Sequence, residues 1–195
     1  MSRAPAPRRR RLAALALAAL TLAACAAPPP AASLRFEAED DRAEFMDDLQ
    51  SDIARLDALL EKTRAGINLS DFSLGWFVLT LLSQLGGHDP GLYARLHPGD
   101  QSVEGYLRTR FSAAPETEIA AIRASAEAGP ASLRLAAAQA LEVLTGIPDP
   151  DSPPDAQAAS RARLDQRLVE LRAFLGGVQE TVAAAPVKAT PPPHD

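Results

Sequence analysis

The sequence predicts an all-α protein, a helical bundle, and three observations carry the expectation. From Phe36 onward the apolar residues recur at helical spacing. No sustained stretch alternates apolar with polar in the period-two manner of a strand. Two long segments, one near each end of the body, bear coiled-coil-like apolar seams: Met46, Leu49, Ile53, Leu56 and Leu60 in the first, and Leu164, Leu168, Leu171, Leu175, Val178 and Val182 in the last. The expected architecture is therefore two long heptad-bearing helices bracketing shorter ones in a single domain over 34–184.

The first helix is expected from Leu34 or Phe36 to Ala65, with Gly66 as its C-terminal cap. Asp71 to Leu85 reads DFSLGWFVLTLLSQL, apolar nearly all round, which predicts the buried centre of the domain. Phe72, Trp76 and Phe77 are then core. Should any of them stay exposed, they would form the contact patch of a binding module. Gly86-Gly87 ends this helix. Asp89-Pro90, a capping residue before Pro at the first helical position, opens a short helix to about His97. Asp100 caps another, with Val103, Tyr106, Leu107 and Phe111 along one side. Pro115 and Pro130 each open a helix, closed by Gly129 and Gly146 respectively. A polar, Pro-rich connector, Ile147 to Asp155, leads to the last helix, Ala156 to Ala184. Gly176-Gly177 inside that helix costs roughly 0.5–1 kcal/mol per residue relative to Ala. Close approach of another backbone would offset the cost; a kink is the alternative. The two seams are expected to pack on each other within one chain, closing the bundle around the Trp76 helix. A monomer is accordingly favoured over a dimer.

The N-terminus has a different character. Arg3 and Arg8 to Arg11 precede a 13-residue apolar stretch, Leu12 to Ala24, and then Cys25, the only cysteine. The basic start and short apolar run match a secretory signal peptide, and the run is too short for a stable membrane span. Leu22-Ala23-Ala24-Cys25 resembles the lipobox of bacterial lipoproteins: a branched apolar residue, two small residues, then the cysteine. The resemblance implies cleavage of residues 1–24 between Ala24 and Cys25, and lipidation of Cys25 with two acyl chains on sulfur and, in many bacteria, a third on nitrogen. Two or more chains anchor stably where one does not. Ala26 stands where an Asp would imply inner-membrane retention, so the resemblance implies the periplasmic face of the outer membrane. Residues 25–33 (CAAPPPAAS) form a lipidated, Pro-rich tether, and 185–195 are expected to be a disordered Pro-rich tail.

Charge narrows the partners. Five of the 20 basic residues lie in 1–24, which leaves 15 against 25 acids, a net −10 after cleavage. Such an acidic body disfavours nucleic acid and adhesion to anionic lipid. The acids concentrate in Glu37 to Asp52. Asp40, Glu44 and Asp48 lie four apart and stack on one helical face: a solvated face, a docking strip for a basic partner, or a loose divalent-cation site without the ligand spacing of an EF-hand.

Ile119 to Pro148 (IAAIRASAEAGPASLRLAAAQALEVLTGIP) resembles a single HEAT-type helical hairpin, with Arg134, Ala137, Ala140, Leu141 and Leu144 on its second helix. HEAT-like units imply binding surfaces rather than chemistry. No nucleotide loop, nucleophile elbow, HExxH motif or Cys/His metal spacing occurs in the sequence. His88 and His97 border the short helix, and His194 lies in the tail. The sequence therefore points to a non-enzymatic envelope lipoprotein, without cofactor or metal, acting as scaffold or adaptor for an envelope protein. The alternative is a helical lipoprotein holding a small apolar molecule in its core near Trp76.

Overall fold

A computed structural model describes residues 34–188 except Asn68 and Ser70, and of Asp71 the backbone alone. The chain divides into two units, Met1–Pro30 and Ala31–Asp195, and everything described lies in the second. The expected signal peptide with Ala24, the expected lipidated Cys25 and tether, and His194 lie outside the described residues.

The unit is all-α. Seven helices follow in order: α1 (Glu39–Arg64), α2 (Asp71–Gly87), α3 (Pro90–Leu96), α4 (Val103–Tyr106), α5 (Pro115–Ala124), α6 (Ala131–Leu144) and α7 (Pro154–Ala184). One turn of π-helix, Leu107–Phe111, continues α4, and a 3-10 turn, Ser125–Ala128, continues α5. No helix among the described residues is long and apolar enough to cross a membrane.

The two long helices pack antiparallel. Arg42, in the first turns of α1, donates to the carbonyls of Ala183 and Ala185 at the end of α7. Further along α1, Asp57 pairs with Arg172 at 2.8 Å and Arg64 with Asp165 at 3.0 Å. All six seam residues of α7 are buried, as their spacing predicts. On α1 the buried stripe is rotated from the expected one: Phe45, Leu49, Asp52, Leu56 and Leu60 are buried, whereas Met46 and Ile53 are only partly covered. Phe45 turns inward because Phe36 and the His88 ring pack on it.

The centre of the bundle is α6, not the Trp76 helix. Helix α6 packs against α2, α5 and α7, and α7 in turn against α1. Its Ala136, Ala137, Ala138 and Ala140 are fully buried. Alanine at four of its nine buried positions lets neighbouring helices approach closely there.

Both boundaries of the body differ from expectation. Residues 34–38 are not helical: Phe36 forms an isolated parallel bridge with Val187. The Phe36 amide donates to the Pro186 carbonyl, and the Lys188 amide to the Phe36 carbonyl. Ala185 to Lys188 are thus paired rather than part of a free tail, and 189–195 lie outside the described residues. Ser102, not Asp100, caps α4: its hydroxyl accepts the Gly105 amide, while Asp100 sits at φ 64° in the preceding turn.

Candidate functional site

The outward-facing aromatics of α2 form the most distinctive surface of the molecule. Gly66, at φ 75°, ends α1 in a Schellman motif. The Gly66 amide donates to the Thr63 carbonyl and the Ile67 amide to that of Lys62. The chain then reverses into α2, which buries Leu74, Phe77, Val78, Leu81, Leu82 and Leu85 along one stripe. Phe72 and Trp76 lie on the opposite side, 79% and 56% exposed, and Ile67 is 54% exposed. Of the three aromatics expected in the core, only Phe77 is there. The Phe72 and Trp76 rings stack on each other, with centroids 6.5 Å apart at 18°.

These rings form one wall of a groove of about 340 Å³ between α1 and α2. Ala58, Leu59 and Phe77 also line it, and Arg55 and Lys62 bring two cations to it. No carboxylate among the described side chains lines this groove. The one carboxylate paired with Arg55 is Asp52, at 3.7 Å. Lys62 makes no ion pair among the described residues. Burial pushes Asp52 up to about 6, against the opposing pull of Arg55 and with a further rise from Asp48. The Arg55/Lys62 pair was not singled out by sequence, because charges on a long mixed helix look like ordinary solvated surface.

The acidic strip lies at the other end of α1. Asp40, Glu44 and Asp48 are all exposed. Glu44 and Asp48, joined by Asp41 rather than Asp40, line a cavity of about 390 Å³ with His88 and Arg35. His88 stacks on Phe45 at 3.9 Å. Burial lowers its pKa despite the opposing field of Asp41, Asp48 and Glu44. No group of three or more His, Cys, Asp or Glu side chains that could hold a metal ion occurs among the described residues. His97 is engaged separately, its Nδ1 3.0 Å from the Tyr93 carbonyl oxygen and its ring stacked on that of Tyr93.

Two buried polar networks hold the inner helices. Asp89 caps α3 by accepting the Gly91 and Leu92 amides, and it also receives Nε and Nη2 of Arg134 from α6. Arg134 Nη1 donates to the Ser125 carbonyl. Burial alone would raise the Asp89 carboxyl, but the hydrogen bonds from Arg134 and the two amides outweigh it and hold its pKa below the ordinary value. Gly129 and Gly91 leave room for this guanidinium. A Cβ at either position would lie within 2.4 Å of Arg134 Nη2. Nearby, buried Glu118 accepts from Arg95 at 3.0 Å and Tyr106 at 3.2 Å and pairs with Arg110 at 3.3 Å. Each carboxylate is answered by cations or donors, which makes both networks struts. The pairing of Asp89 with Arg134 was not anticipated, although each residue was singled out for a local reason.

On the inner face of the Trp76 helix, Leu74, Val78, Leu81, Leu82 and Leu85 are fully buried. The largest concavity described is a groove of about 880 Å³ between the start of α6 and the C-terminal half of α7. It is lined by Leu34, Pro130, Leu135, Phe174, Gly177 and Pro186, among others. Neither Gly176 nor Gly177 has another atom within 4 Å of where a Cβ would stand, so no backbone approaches them, and α7 runs through both without a break. Thr181 turns its hydroxyl to the Gly177 carbonyl, leaving the groove still more apolar.

Comparison of the chain with protein-family models, with curated proteins and with solved structures gives no match.

Proposed function

We propose that this chain is a non-enzymatic, lipid-anchored envelope protein that holds a protein partner through the Phe72–Trp76 surface. The observation that carries the reading is the exposure of both rings on a helix whose other large apolar residues are buried or, at Leu79, partly buried. Neighbouring large aromatics left in water are an unfavourable surface for an isolated domain and a favourable one for a contact, where Trp and Arg dominate binding energy. The placement of the patch supports the same reading. The described chain begins at Leu34, beside the first turn of α1, while the patch lies by its last two turns, roughly 30 Å further along at 1.5 Å per residue. The patch thus lies at the far end of α1 from the point where the described chain begins. Lipidation and the outer-membrane address rest on the Leu22-to-Ala26 pattern. The HEAT-type resemblance rests on the 119–148 pattern alone.

Replacing Trp76 with a photo-activatable residue in cells of the source should trap one discrete protein. Cys25→Ser should abolish lipid labelling. Absence of any adduct at position 76 would remove the adaptor reading; a lipid label surviving Cys25→Ser would remove the anchor.

The second reading, an apolar small molecule as ligand, is favoured by the groove beside Gly177 rather than by any cavity at Trp76. Its volume of about 880 Å³ lies within the range of roughly 300–1,000 Å³ of ligand pockets.

A further inference from the structure

We infer that the groove between α1 and α2 receives an acidic amphipathic helix of another protein, an inference that rests on reading the Phe72–Trp76 surface as a contact site. The shape comes from α1. Arg55 and Lys62 are seven residues apart on one helix, two turns or roughly 10.5 Å. Ala58 and Leu59, at the intervening third and fourth positions, supply a small, apolar floor. Across the groove, Phe72 and Trp76 stand one turn apart and form a stacked wall. A cleft that repeats at helical spacing on both sides suits a helix with apolar side chains at every third and fourth position.

The charge of the occupant follows from the rim. Lys62 has no ion-pair partner among the described residues, and Arg55 has only Asp52, whose burial weakens its ionisation. Two cations therefore face the groove with no described carboxylate on its wall, in a chain whose net charge after cleavage is −10. The complementary helix carries two carboxylates two turns apart, with apolar residues between them. Its acids would meet net repulsion from this acidic molecule as a whole and attraction at this rim, which fixes register more than it adds affinity.

The same observations disfavour other occupants. An anionic bilayer is repelled by the body as a whole. A second copy offers the right acids on α1, since Asp41 and Asp48 are also seven apart, but the intervening third and fourth positions are Glu44 and Phe45, and Phe45 is 1% exposed and turned inward. That face can supply charge without the apolar contact.

Trp76 is the only tryptophan of the chain, so its emission reports coverage of the groove directly. The test is titration of the full chain with three synthetic helical peptides of about five turns, sharing one Leu-rich face. The first carries Glu at two positions two turns apart, the second Gln there, the third Lys. The expected result is a blue shift of Trp76 with the Glu peptide and roughly three- to tenfold weaker binding of the Gln peptide. Lys62→Glu should invert the preference toward the Lys peptide. Equal binding of all three peptides would overturn the acidic specificity while leaving an apolar contact surface in place. A shift with phosphatidylglycerol vesicles but with no peptide would assign the patch to the membrane. A shift on concentrating the chain alone, with dimerisation in the ultracentrifuge, would assign it to a second copy. No shift under any condition would also overturn the inference, whereas the adaptor reading itself fails only if position 76 traps nothing in the envelope.

Discussion

The Asp89–Arg134 pair and the Phe72–Trp76 pair invert the usual placement of residue types. A carboxylate and a guanidinium lie inside, 1% and 8% exposed in their side chains, while two large aromatic rings lie in water. The contrast separates what holds this fold from what the fold displays. The buried pair cannot be halved without leaving an unanswered charge in a low-dielectric interior. The exposed pair makes few contacts with the body, so its removal costs the body little. One region belongs to stability, the other to recognition.

The largest effect should therefore come from splitting the buried pair. Arg134→Ala leaves Asp89 charged and buried and should cost about 3–5 kcal/mol, read as a fall in the thermal midpoint, with Trp76 emission unchanged at temperatures where the variant is folded. Gly129→Ala should reproduce much of this loss. The backbone at Gly129 is extended and suits any residue, but the new methyl group would occupy the space of the guanidinium.

Next in size are the seams. Leu56→Ala and Leu171→Ala each truncate a fully buried side chain and should cost about 2–5 kcal/mol. Oligomeric state in the ultracentrifuge should stay the same, because the two helices pack within one chain.

Asp52 gives a smaller effect with a defined pH dependence. Its folded pKa, about 6, lies above the ordinary 3.8, so the folded state holds the proton more tightly than the unfolded chain. Stability from this group is complete below pH 3.8 and is lost as pH rises through about 6. Asp52→Asn should accordingly stabilise the protein by about 1–3 kcal/mol at pH 8, and the advantage should vanish near pH 4. Denaturant titrations at the two pH values measure both.

Much of this was legible in sequence, and the failures have physical causes. The α7 seam is legible because six apolar residues at heptad spacing sit among charged ones, leaving one way to bury them. Helix α3 is legible because Asp89 and Pro90 each act through the local backbone. Helix α2 is the opposite case. With apolar residues all round, its pattern does not say which side faces out, and burial of Leu74 rather than Phe72 is settled by α6, distant in sequence. The central place of α6 was hidden for a related reason: alanine carries a weak apolar signal, and its value here is its small size. The Arg55–Lys62 rim needs α2 laid beside α1 before it becomes a site.

The account stands most directly on the claim that Phe72 and Trp76 are displayed rather than used to hold the fold. Thermal unfolding of the Phe72→Ser, Trp76→Ser double variant, followed by far-UV circular dichroism beside wild type and Arg134→Ala, tests it. The account predicts a midpoint within a few degrees of wild type, corresponding to no more than about 1 kcal/mol, while Arg134→Ala melts far lower. A double variant that melts as low as Arg134→Ala would contradict it and place both rings in the structural core.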